Sequence, residues 1–196
     1  MNQGKKRFGL LLILFGCLLV AAAVAVTVGG IFGRKQNAEH NGEVLAFLES
    51  ILPEKSVGFR EEKGDPSMPV IEFEENDYVG ILEVPRFSVS LPIAANWSKS
   101  LVRSVPCRFT GSVFDGTLIL GGTGEEGQFD FIPSLDIGDG ITFTDLKGEV
   151  FSFSVKKVLH ASDASLKTLT DPDYPLTLFA KDPSSGSTLV VRCIGA

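Results

Sequence analysis

The chain has 196 residues, enough for one medium-sized domain and an appendage. Its formal net charge of −6 gives no basic footprint for nucleic acid, so that class of partner is set aside. Fifteen Phe against two Tyr and one Trp point to a β-rich core with few polar aromatic handles. Two His and three Cys (Cys17, Cys107 and Cys193) show neither Cys-x-x-Cys nor His-x-x-x-His spacing. No zinc cluster of the usual pattern is therefore expected, and no metal or cofactor is assigned. Gly121-Gly122-Thr123-Gly124 lacks the Gly-Lys-Ser/Thr ending of a phosphate-binding loop.

Lys5-Lys6-Arg7 precede an uncharged apolar run, Phe8–Phe32, which Arg34-Lys35 follow. A run of that length crosses a bilayer as a tilted helix, and the basic residues ahead of it favour a cytoplasmic amino terminus. The expectation is a single-pass cell-membrane protein: tail 1–7, signal-anchor helix 8–32, carboxyl-terminal domain outside. A cleaved signal peptide would have a shorter apolar region. Leu14-Phe15-Gly16-Cys17 loosely imitates a lipoprotein cleavage site, but the chain stays apolar well past Cys17.

Residues 33–77 are polar, rich in Glu and Lys, and carry Pro53, Pro66 and Pro69, which reads as a linker. Within it Val44, Leu45, Phe47, Leu48, Ile51 and Leu52 recur at helical spacing, so a short amphipathic helix is expected at Glu43–Leu52. Packing of that helix on the domain's flank is the simpler role; contact with a partner or the membrane surface is the sharper one.

From Tyr78 the pattern changes to short strands. Tyr78–Pro85 and Phe87–Ile93 read as two strands joined at Pro85-Arg86, and Thr117–Gly121 as a short apolar strand. Gly138-Asp139 turns into Ile141–Asp145, followed by a hairpin at Leu146–Glu149 and the alternating run Val150–Val155. Leu176–Lys181 and Thr188–Cys193 form a last pair around a Pro/Gly/Ser loop. About eight short strands with turn signals between them imply a mainly β, closed barrel.

Several of these stretches, in this order, resemble the sortases, cysteine transpeptidases of Gram-positive cell surfaces. The carriers are the Tyr78-Val79-Gly80-Ile81-Leu82 opening, Ser104-Val105-Pro106-Cys107-Arg108-Phe109 (similar to a stretch of clostridial-type, class B/D-like members), Phe129–Leu135, the register from Gly138 to Val155, and Thr177-Leu178-Phe179 followed by Leu189-Val190-Val191-Arg192. The resemblance spans 78–196 and implies a closed eight-stranded barrel with short helices, preceded by one transmembrane helix. It also implies where catalysis would sit: a Cys ending the penultimate strand, a His ending the strand V-I-A-G-H, and an Arg opening the last strand. In this chain those positions hold Lys181, Gly122 and Thr188.

Amide transfer by that route needs a thiolate to attack, an imidazole to move a proton and a guanidinium to hold the oxyanion. Glycine moves no proton, threonine brings no charge, and a protonated lysine is a poor nucleophile. No catalytic set is therefore assigned. The resemblance, with its chemistry removed, implies a membrane-anchored pseudo-sortase that binds a sorting-signal peptide, a pilin-like surface protein or an active sortase. The alternatives are a transpeptidase with rearranged residues, using Cys193, and a purely structural surface module. Cys193 lies one residue too far along its strand and so faces away from a nucleophile's position. His160, with Asp163 nearby in sequence, reads as an exposed strand-end histidine, and Asp182 as a turn residue. Cys107 and Cys193, the two cysteines outside the apolar run, are candidate disulfide partners, with two buried thiols as the alternative.

Overall fold

A computed structural model of the chain describes residues 3–52, 56–57, 68–161, 165–182 and 185–196; the side chains at 3–14, 26–36, 56, 57 and 166 lie outside that description. The chain divides into two compact units, Met1–Ala38 and Glu39–Ala196.

Helix α1 runs Gln3–Ile51 as one element, joining the helices expected at 8–32 and Glu43–Leu52 through residues that had read as linker. No proline interrupts this stretch, and the helix stops two residues before Pro53, as the restriction on a residue preceding proline requires. The apolar run 8–32 lies within it. Its side chains are described only at 15–25, where all are exposed, and among the described residues no helix is long and apolar enough to cross a membrane.

The carboxyl-terminal turns of α1 belong to the second unit. Val44 and Leu48 are fully buried there against Tyr78, Ile81, Ala94, Val105 and Cys107, with Leu45, Phe47 and Leu52 packed around them. The compact unit thus reaches back to Glu39, and much of the stretch read as linker belongs to it. Residues of this size gain about 1.5–3 kcal/mol each on full burial, which explains why this segment docks on the barrel. Ile51, counted with the apolar face, is exposed.

The strands are β1 (Ser56–Val57), β2 (Ile71–Phe73), β3 (Asn76–Val84), β4 (Val89–Ala94), β5 (Cys107–Thr110), β6 (Leu118–Thr123), β7 (Gly140–Asp145), β8 (Glu149–Ala161), β9 (Leu176–Lys181) and β10 (Thr188–Gly195); α2 (Leu166–Leu169) is a single turn. The path β8-β10-β9-β6-β5-β4-β3 is closed by β7, which pairs with both β3 and β8. Eight strands therefore complete a barrel, as expected, and β1 and β2 extend it at β8 and β3. Most pairings are antiparallel; β1 with β8, β4 with β5 and β6 with β9 are parallel.

Period-two alternation fills the barrel. Leu118 and Leu120 of β6, Leu176, Leu178 and Ala180 of β9, and Leu189, Val191 and Cys193 of β10 point into one interior cluster with Phe129, Phe143 and Ile141. Alternate residues Ile119, Phe179 and Val190 face outward and form a separate cluster with Leu169.

This alternation disposes of the disulfide. Both cysteines are free and buried. Cys193 faces the barrel interior, whereas Cys107 sits in the cluster beneath α1, its thiol donating to the Val105 carbonyl at 3.3 Å. Strands β6 and β9 separate β5 from β10 in the sheet, about 14 Å at the usual strand spacing.

Candidate functional site

The parallel pairing of β6 with β9 sets the site. Its register places Gly121 beside Phe179, Gly122 beside Ala180 and Thr123 beside Lys181. The antiparallel pairing of β9 with β10 then sets Thr188 beside Lys181. Residues paired across strands share a face, so Thr123, Lys181 and Thr188 form one row across three strands at the barrel's end. Two of the three expected positions are brought together. Gly122 is not the third: it lies beside inward-facing Ala180, and a Cβ there would meet the Phe129 ring at 2.9 Å in the core. Thr123 takes the place in the row, a residue that motif alignment passed over because alignment carries no strand register.

Each member of the row has a distinct character. Lys181 is exposed, and among the described residues no carboxylate pairs with it. Thr188 is buried. Thr123 Oγ1 is buried without a hydrogen-bond partner among the described residues. Burying a hydroxyl unpaired costs roughly 1–3 kcal/mol, a cost that the Tyr78 and Thr144 hydroxyls share elsewhere among the described residues. The Thr123 backbone is itself fixed, its N–H donating to Gln128 Oε1 at 3.0 Å and its carbonyl accepting from Phe129 N–H at 3.0 Å.

Next to the row lies an aromatic shelf. Trp97, Phe109 and Phe179 meet pairwise at 5.2–5.4 Å between ring centroids, with both Phe109 contacts edge-on. The shelf exists because position 121 is glycine: a Cβ there would stand 2.4 Å from both Phe179 and Trp97. Phe179 lies two residues before Lys181 on the same face, about 7 Å away along the strand. The surface thus offers the half-buried rings of Trp97 and Phe109 over a buried Phe179, and one exposed cation.

The other candidates fall outside this surface. Cys193 is fully buried in the barrel core, and burial pushes its thiol up to about 12, so it supplies no thiolate at neutral pH. Cys107 is likewise buried and pushed up to about 12. A transpeptidase built on Cys193 has no access to substrate in this fold. His160 is exposed at the end of β8, its Nδ1 3.4 Å from Ser187 Oγ; Asp163 lies outside the described residues. Asp182 serves the β9–β10 turn, accepting from Ser185 Oγ at 2.6 Å while its N–H donates to the Ser187 carbonyl at 2.8 Å. Arg192, four residues beyond Thr188, is buried. It donates to the carbonyls of Leu169 and Thr168 and to Thr177 Oγ1, so its guanidinium is committed to holding α2.

No protein-family model matches the sequence, and no curated protein matches it. Solved structures do match. Sortase C1 of Streptococcus agalactiae superposes with a TM-score of 0.51 at 21% identity, over 60% of this chain and 66% of that one. Sortase C of Streptococcus pneumoniae gives 0.55 at 16% identity, over 83% and 89%. Clostridium perfringens sortase C, solved with the C-terminal cell wall sorting motif, gives 0.54 at 16% identity, over 86% and 90%. At these identities the likeness is one of architecture: the chain has a sortase-like β-barrel fold.

Proposed function

We propose that this chain is a membrane-anchored, cell-surface protein that uses a sortase-like groove to bind a peptide without cutting it. The observation that carries this reading is the row Thr123–Lys181–Thr188. It stands at the end of β6, β9 and β10 and contains no thiol, imidazole or guanidinium. The ligand class is an extended peptide of the sorting-signal kind, offered by a pilin-like surface protein or shared with an active sortase. An apolar side chain would lie on Trp97, Phe109 and Phe179. A peptide carboxylate would meet Lys181. The likeness to a sortase solved with its sorting motif supports a peptide in this place. Anchorage rests on the uncharged run 8–32 between Lys5-Lys6-Arg7 and Arg34-Lys35, with the domain outside.

Trp97 is the only tryptophan and sits in the shelf, so its fluorescence reports on the groove. Titration with sorting-signal peptides should give a saturable change and no cleavage products. Lys181→Ala should weaken binding up to about fivefold, the worth of one exposed ion pair. Turnover that disappears with Cys193→Ala, or a peptide response indifferent to Lys181, would overturn the proposal. Protection of the domain from protease added to intact cells would overturn the topology.

A further inference from the structure

We propose that His40, Glu43 and Glu74 form a site for a divalent transition metal, zinc by the nature of the donors, that clips the end of α1 to the β2–β3 hairpin. His40 and Glu43 stand three residues apart and therefore share a face of α1. Glu74 arrives from elsewhere. The pairing of Phe73 with Asn76 leaves Glu74-Glu75 as the two-residue loop between β2 and β3. One donor atom from each of the three side chains lies within 4.8 Å of the others.

The spacing suits a ligand set as well as an ion pair. His40 Nδ1 stands 3.7 Å from Glu74 Oε2, beyond the roughly 3.2 Å limit of a hydrogen bond. Two ligands at about 2.0–2.2 Å from a tetrahedral zinc are separated by about 3.4 Å, near the 3.7 Å of the His40–Glu74 pair, while the whole set lies within 4.8 Å. Both carboxylates are exposed, so they are free to turn toward a shared ion. Two carboxylates neutralise a divalent cation, the imidazole contributes the nitrogen that favours zinc over calcium or magnesium, and water completes four-coordination. The three residues come from two elements of the same compact unit, so the ion would fasten the docked turn of α1 beside Val44 and Leu48.

The test uses the full chain in detergent micelles, stripped with a chelator and titrated with zinc chloride or cobalt chloride. One equivalent of zinc should bind, cobalt should give the intense visible absorption of a four-coordinate site, and zinc should raise the melting temperature. His40→Gln and Glu74→Gln should each weaken zinc binding about tenfold or more while leaving the metal-free melting temperature unchanged, since both side chains reach solvent. Absence of stoichiometric binding, equal binding by both variants, or calcium competing at equal concentration would overturn the assignment.

Discussion

Arg192 lies buried on the outer face of β10, beneath α2, and donates to the Leu169 and Thr168 carbonyls and to Thr177 Oγ1 at 2.9 Å, with the Tyr174 ring 5.7 Å from its Cζ. Lysine cannot reproduce that planar fork. Arg192→Lys should lower stability by about 2–3 kcal/mol, read as a shift in the denaturation midpoint, because buried carbonyls lose their donor. The two buried thiols make a second prediction. Burial raises Cys107 and Cys193 from 9.0 to about 12, and desolvation raises Tyr78 from 10.0 to about 12. Raised values mean the unfolded state loses these protons first. Stability should therefore hold below pH 9 and fall as pH climbs from about 9 toward 12. In a Cys17→Ala background neither thiol should react with a thiol reagent until the protein unfolds; fast labelling of the native protein would contradict the burial. A third prediction concerns the row. Thr123→His, Lys181→Cys and Thr188→Arg together should give a cysteine of lowered pKa, measured by the pH dependence of alkylation. With Gly122→His in place of Thr123→His, the Phe129 ring must move and the protein should be destabilised instead.

Among the elements, α1 illustrates how far the sequence could be read. The repeat of Val44, Leu45, Phe47 and Leu48 is a periodic signal, and it located the docked face; the polar residues between 32 and 43 carry no period, so the helix joining this segment to the apolar run 8–32 was invisible. Leu48→Ala should cost about 2–5 kcal/mol by opening a cavity beneath α1, while Ile51→Ala, at an exposed position, should stay within about 0.5 kcal/mol, both by chemical denaturation. Strands β3, β4, β7 and β8 were legible because alternation and turn residues are local. Which residue of β6 stands beside Lys181 was not, because that depends on a parallel pairing between segments more than fifty residues apart. The same limit hid Glu74 from a search by ligand spacing and let Cys107 and Cys193 look like partners: two strands separate theirs, and no local pattern says so.

Closure of the barrel governs the molecule as a whole. Strand β10 is bonded on both sides, to β8 and β9, and β9 in turn to β6. The β9–β10 hairpin is thus the wedge between β8 and β6, two strands whose edges have no other partner on that side. A chain lacking Thr188–Gly195 should fail to fold, shown by loss of dispersed amide resonances, rather than merely lose its groove. The order in which the ribosome delivers the chain then acquires a meaning. While β3 to β8 are already made, two raw edges of the sheet remain open, and β10 must be released before they can be sealed. Closure of the barrel therefore waits for β10, and until then its safety against edge-to-edge aggregation depends on whatever escorts it.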